Sequence, residues 1–181
     1  DASEDVLFDN LVIKGSGEQA FMVDVCGGAQ VMMYACSVDG GGRPNIDGKG
    51  AAVGVRGSLL IPTSWSGPSR YEKGQVSTLQ AEDCSMVSRS RCGLQVLGGR
   101  ALLRNCHSCS CAANGWAVEC DGSLVAHACR VSDNGESNLF VGWRAHAVLQ
   151  GCMLQGSKWG RGVRVYKSSV DLVSCALQGN K

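Results

Sequence analysis

Apolar residues in this chain alternate with polar or small ones in runs of three to five positions, and Gly, Asn and Asp separate the runs. One clear set is Val23/Val25, Val31/Met33 and Cys36/Val38, and another of the same form is Trp116/Val118, Leu124/Ala126 and Cys129/Val131. Period-two alternation over such short stretches predicts strands with one buried face. Helices are not expected, because no stretch carries a 3.6-residue apolar period and Gly interrupts every long window. The expected class is all-β.

The three-part phrase repeats. Cys106, Cys129, Cys152 and Cys175 stand at a constant interval of 23, Cys84 lies 22 before Cys106, and Leu11 holds the same place 25 before Cys36. Cys36 and Cys84 are 48 apart, which is one repeat of 23 plus an insertion of 25. The first alternation of each turn reads Val23/Val25, Val53/Val55, Leu94/Val96, Trp116/Val118, Leu139/Val141 and Val163/Val165. The second reads Val31/Met33, Ala101/Leu103, Leu124/Ala126, Ala147/Leu149 and Val170/Leu172, and the third is Cys-x-apolar, weakened by Ser108 after Cys106. Three strands in so short a repeat leave no room for a crossover helix. Each strand must therefore pair in parallel with its equivalent one turn away, about 4.8 Å along an axis. Residues 1–181 are expected to form one parallel β-solenoid of about seven turns, with the cysteines as an inward ladder.

The phrases GVRVYKSSVDLVSCALQGN (162–180) and NGWAVECDGSLVAHACRVSDNG (114–135) resemble the parallel β-helix repeats of the pectin-lyase-like superfamily. That resemblance implies a right-handed coil. It also implies a choice of activities, because the superfamily holds polysaccharide lyases, hydrolases and epimerases beside non-catalytic modules. Its enzymes work on the outer face of the first sheet, where acid/base carboxylates need separations of about 5 to 9.5 Å. Aligning the first strands of the turns places Asp24, Gly54, Gln95, Glu119, Gly142 and Arg164 on roughly one outward column there. Glu119 and Asp121 are expected two apart on one strand, with Arg144, Arg164, Tyr166 and Lys167 from the next two turns. Such a patch could hold a uronate sugar and abstract a proton. It lacks the concentrated acidic residues or the tight Asp/His motif of the superfamily's lyases and epimerases.

The insertion, residues 57–80, reads GSLLIPTSWSGPSRYEKGQVSTLQ. Extra segments on a solenoid form loops on one face, frequently the binding face. Trp65, Arg70, Tyr71 and Lys73 are of the types enriched at interface hot spots. Residues 40–50 are expected to form a turn.

Composition narrows the partners. With 17 basic and 16 acidic side chains the net charge is +1, which gives no electrostatic footprint for nucleic acid. No apolar run approaches the ~20 residues of a membrane span. The chain opens as DASEDVLFDN, already strand-like and without an initiator Met, so it is expected to be a fragment of a longer or processed protein. Eleven cysteines, an odd number in mostly apolar contexts, favour reduced thiols and a reducing intracellular setting. The dense cluster Cys106-His107-Ser108-Cys109-Ser110-Cys111 lacks the Cys-x-x-Cys spacing of zinc sites and reads as a corner thiol pair. His107, His127 and His146 are expected to stand isolated, and no metal or cofactor is expected. The leading functional expectation is a non-catalytic scaffold that binds a protein partner or neighbouring subunit. The alternatives are a carbohydrate-binding module, and a polysaccharide-active enzyme working through Glu119, Asp121, Arg144 and Arg164.

Overall fold

A computed structural model describes residues 5–15, 21–40, 51–56 and 76–181. Strands β1 (Asp5–Asp9) and β2 (Val12–Gly15) precede six three-strand turns. The first turn is β3 (Phe21–Val25), β4 (Gln30–Tyr34) and β5 (Ser37–Gly40), and the second is β6 (Ala51–Arg56), β7 (Thr78–Glu82) and β8 (Ser85–Ser88). The third is β9 (Cys92–Leu97), β10 (Arg100–Arg104) and β11 (His107–Cys109), followed by β12 (Trp116–Glu119), β13 (Ser123–His127) and β14 (Arg130–Ser132). Strands β15 (Leu139–Gly142), β16 (His146–Gln150) and β17 (Met153–Gln155) form the fifth turn, and β18 (Val163–Tyr166), β19 (Ser169–Val173) and β20 (Ala176–Gln178) the sixth.

Like pairs with like. The first strands of successive turns make a six-stranded sheet, and the second and third strands make sheets of seven. Every pairing is parallel, as in Ala101↔Leu124↔Ala147↔Val170 across the second sheet. The chain is thus a parallel β-solenoid, as its periodicity predicts. Inward residues stack into ladders, with Val96, Val118 and Val141 from the first sheet, Leu124 and Leu149 from the second, and Val131 and Leu154 from the third, all fully buried. Trp116 is the largest buried side chain, and its indole N–H meets no acceptor among the described residues.

The insertion ends sooner than expected. Thr78–Gln80 belongs to β7, with Leu79 and Ala81 inward and paired with Val31 and Met33. This alternation went unread as a strand because it follows directly on the inserted segment. Residues 41–50 and 57–75 lie outside the described residues.

The corner between second and third sheets explains the residue before each ladder cysteine. Asn10, Ala35, Asp83, Asn105, Ala128, Gly151 and Ser174 all take the left-handed conformation, with φ between 48° and 62°. One such residue redirects the chain without a loop, and its amide still pairs across turns, as in Ala128 N–H to Gln150 O at 2.9 Å. A cysteine fits the next position because its small thiol turns back on the corner. Cys129 Sγ donates to His127 O at 3.1 Å and accepts the Cys106 amide at 3.4 Å. Where Cys-x-apolar weakens, Ser108 is wholly buried and donates to Met86 O at 2.8 Å.

A second, polar ladder braces the corner between third and first sheets. Ser88, Cys111, Asn134, Ser157 and Asn180 follow one another at intervals of 23. Asn134 Oδ1 accepts the Cys111 amide at 2.9 Å, and its Nδ2 donates to Asn138 Oδ1 at 2.8 Å. Asn138 in turn donates to Gln155 O and to Asn180 Oδ1, at 2.9 and 2.8 Å. Asn134 and Asn138 are fully buried, so Asn134 of the Asn134-Gly135 turn serves as an internal clamp.

Left-handed backbone costs an L-residue other than Gly, Asn or Asp about 1–2 kcal/mol. Ala128 is exposed and occupies that conformation between Asn105 and Gly151. Ala128→Asn is expected to raise unfolding free energy by about 0.5–1 kcal/mol, since Asn tolerates the conformation. Equilibrium denaturation in urea measures this.

Candidate functional site

Two outer faces carry chemistry. On the first sheet, strand register sets Asp24, Gly54, Gln95, Ala117, Phe140 and Arg164 in one outward column. Leu97, Glu119, Gly142 and Tyr166 form the neighbouring one. The column expected from sequence crossed between these two. The expected column steps 24 from Gln95 to Glu119 and 22 from Gly142 to Arg164, whereas the register steps 22 from Gln95 to Ala117 and 24 from Phe140 to Arg164, so the expectation slips two residues and back.

The expected carboxylate pair also separates. Strand β12 ends at Glu119, and Cys120 and Asp121 both turn with positive φ, at 55° and 60°. Asp121 is therefore on the corner, not two along the same strand. There it takes a two-pronged bond from Arg144 one turn on, Nε to Oδ1 at 2.8 Å and Nη2 to Oδ2 at 2.7 Å. Of the four residues proposed for catalysis, Asp121 and Arg144 thus form one exposed ion pair. Glu119 and Arg164 belong to another group.

That group is aromatic. A Cβ on Gly142 would lie 2.8 Å from Phe140 Cζ, so the missing side chain lets the Phe140 ring fold over this position, beside Glu119 in its column. Trp143 packs edge-on against Phe140 at 5.7 Å and against Tyr166 at 6.0 Å. The Arg164 guanidinium stands 5.6 Å from the Phe140 ring centre, and the Lys167 ammonium 5.4 Å from that of Tyr166. Trp143 and Tyr166 remain 42% and 46% exposed. Glu119 is half-buried, and its loss of water pushes its carboxyl up to about 7, a rise that a hydrogen bond from Gln95 opposes. A carboxyl titrating near neutrality can donate or accept a proton.

The second sheet presents a different surface. Its middle outward column runs Leu7, Met32, Gln80, Leu102, Val125, Val148 and Asp171. Leu7, Met32 and Leu102 are 64%, 39% and 43% exposed, and they line a shallow groove of about 440 Å³. One rim is Asp9, Tyr34, Glu82, Arg104 and His127, and the other is Asp5, Gln30, Thr78, Arg100, Ser123 and His146. The sequence did carry a signal for this face. Val31-Met32-Met33, Ala101-Leu102-Leu103 and Leu124-Val125-Ala126 are apolar triplets where an alternating strand would place a polar residue in the centre.

His146 is not isolated, contrary to expectation. Its Nδ1 is 2.7 Å from Ser169 Oγ, and its Nε2 is 3.8 Å from Asp171 Oδ2. Parallel register supplies these neighbours, which spacing to the ladder cysteines does not reveal. The Ser169 amide donates to Ala145 O at 3.2 Å, so it is not available as an oxyanion donor.

None of the eleven cysteines is in a disulfide. Cys111, expected in a surface or corner thiol pair, lies at the corner, buried in the polar ladder within 3.5 Å of Ser108 Oγ. Burial pushes the Cys92 thiol up to about 12, and a hydrogen bond with Cys129 does the same for Cys106, also to about 12. These groups stay protonated at neutral pH and are poor nucleophiles. Among the described residues no three His, Cys, Asp or Glu side chains are grouped to hold a metal ion, and no helix is long and apolar enough to cross a membrane. Trp65, Arg70, Tyr71 and Lys73 lie outside the described residues. Comparison of the chain with family models, curated proteins and solved structures finds no match.

The raised Glu119 carboxyl has a sign. Moving from an ordinary 4.5 to about 7 on folding, the native state binds this proton more tightly than the unfolded chain. Its contribution to stability is complete below 4.5 and is lost as pH rises through 7. The thermal midpoint is expected to fall between pH 4.5 and 7.5, and Glu119→Gln should flatten that fall. Calorimetry across this pH range checks it.

Proposed function

We propose that this protein is a non-catalytic β-solenoid interaction module that holds a protein partner on the outer face of its second sheet. The observation that carries the reading is the outward column in which exposed Leu7, Met32 and Leu102 and half-buried Val125 and Val148 are interrupted only by Gln80 before Asp171, bordered by rims that carry charge. Outward positions of a solvated sheet are ordinarily polar, and contiguous exposed apolar surface marks sites of association. Kinship with the pectin-lyase-like β-helices belongs to the same proposal. It is supported by the three-sheet coil and by the cysteine that follows each second strand from Cys36 onward. In that setting a partner is held by a rigid surface, with Arg100 and Arg104 at its centre for orientation.

Leu102→Asp tests this directly. The side chain is exposed, so the thermal midpoint should hold within a few degrees. A protein cross-linked to the wild-type face and then purified should bind at least tenfold more weakly to the variant in a two-component titration. Equal binding by both would remove the proposal.

A second reading follows from the first sheet. Exposed Trp143 and Tyr166, with Arg164 and Lys167 against the neighbouring rings, form a surface on which a sugar ring could stack. In that case a glycan array should show saccharide binding by the wild type, reduced at least tenfold by Trp143→Ala. Undiminished binding by Trp143→Ala would dismiss it.

A further inference from the structure

We infer that the second-sheet face docks one amphipathic helix of a partner protein, laid along the solenoid axis with its acidic N-terminal half over Arg100, Arg104 and His127. The inference rests on the protein-interaction reading and names the partner's chemistry and direction.

Three observations carry it. The first concerns backbone groups. The strands that floor the groove are paired on both sides, β7 with β4 and β10, and β10 with β7 and β13. Their N–H and C=O groups are occupied within the sheet, so an extended peptide lying on this face would find no backbone partners there. A helix satisfies its own backbone and needs only a stripe to pack on.

The second is spacing. Leu7, Met32, Gln80, Leu102 and Val125 occupy successive rows, about 4.8 Å apart. A helix returns its apolar face about every turn, and the pitch of that turn is close enough to the row spacing for one turn to face each row over a short span. Five rows cover about 19 Å, the length of a helix of roughly 13 residues.

The third is charge, and it sets direction. Both rims change sign along the axis. Asp5 and Asp9 flank Leu7, Glu82 flanks Gln80, and then Arg100 and Arg104 flank Leu102, with His127 and His146 beyond. Glu82, Arg100, Arg104 and His127 are all exposed. The complement is a helix with acidic flanks in one half and basic flanks in the other. Acidic residues favour a helix N-terminus and basic ones its C-terminus. A helix stable in itself therefore docks with its N-terminus near β13 and its C-terminus over β1.

The test is a selection that does not presuppose the answer. A displayed library of randomised amphipathic helices and randomised extended peptides is panned on the wild-type chain, with Leu102→Asp as counter-selection. The expected winners are helices with apolar i, i+3/i+4, i+7 spacing, Asp or Glu in the first half and Lys or Arg in the second. One winner, synthesised and labelled, should bind at least tenfold more weakly to an Arg100→Glu/Arg104→Glu double variant, and its wild-type affinity should fall as salt rises. Circular dichroism of the variants confirms the coil. Winners that are extended, uncharged or of reversed polarity, yet still need Leu102, overturn the helix inference and leave the interaction face intact. Winners that bind Leu102→Asp as well as the wild type overturn both. Self-association of the wild type abolished by Leu102→Asp would assign the face to a second copy and overturn the partner helix.

Discussion

Each strand of this coil finds its hydrogen-bond partners one turn away, about 4.8 Å along the axis, and that fixed interval dictates everything else about the molecule. It requires each turn to present its strands in the same places as the last. Turn length drifts, from 22 between Gln95 and Ala117 to 24 between Phe140 and Arg164, and the corners absorb the difference. The interval also stacks every side chain on its equivalents. Inward columns become ladders of Val, Leu and Cys, and outward columns become rows of whatever the sequence writes there. A repeat in sequence is therefore a repeat in space, along a single line.

The corners show how that constraint selects residues. Turning between second and third sheets within one residue requires left-handed backbone, which Asn, Asp and Gly accept readily and Ala and Ser accept at a cost. The thiol that follows closes the corner from inside, by donating to the carbonyl two residues back. Between third and first sheets the chain takes a wider path, and buried Asn134 and Asn138, with Asn180, supply the hydrogen bonds that strand pairing cannot. Both devices hold the backbone of one turn to that of the next. Neither involves an outward residue.

This division explains what could be read from the sequence. Inward positions are constrained at every turn, so the cysteine period together with the three apolar alternations within it defined three sheets and a solenoid. The strand carrying Leu79 and Ala81 escaped only because inserted residues run directly into it. Outward positions are harder to place because no packing rule repeats there. An error of two in register moved Glu119 out of its own column, and the positive φ of Cys120 and Asp121 moved Asp121 from a strand to a corner. The His146–Ser169–Asp171 contacts needed the register between β16 and β19, which no spacing to a cysteine contains. The Phe140–Trp143–Tyr166 cluster depended on an absence, the side chain that Gly142 lacks.

Those two outer faces differ in how much of their chemistry is already satisfied. On the first sheet, Arg164 lies against Phe140, Lys167 against Tyr166, and Arg144 against Asp121, so its cations have neighbours within the coil. On the second, Leu7, Met32 and Leu102 face solvent between rims that carry Asp5 and Asp9 in one row and Arg100 and Arg104 in another. Arg100 and Arg104 stand two positions either side of Leu102 on one strand, and Arg104 faces Glu82 on the strand beside it. Apolar surface left in water is disfavoured in the free protein, and an amphipathic partner of complementary charge would cover it. The two faces thus differ in kind, one with its rings and cations packed on one another and the other with apolar side chains left in water.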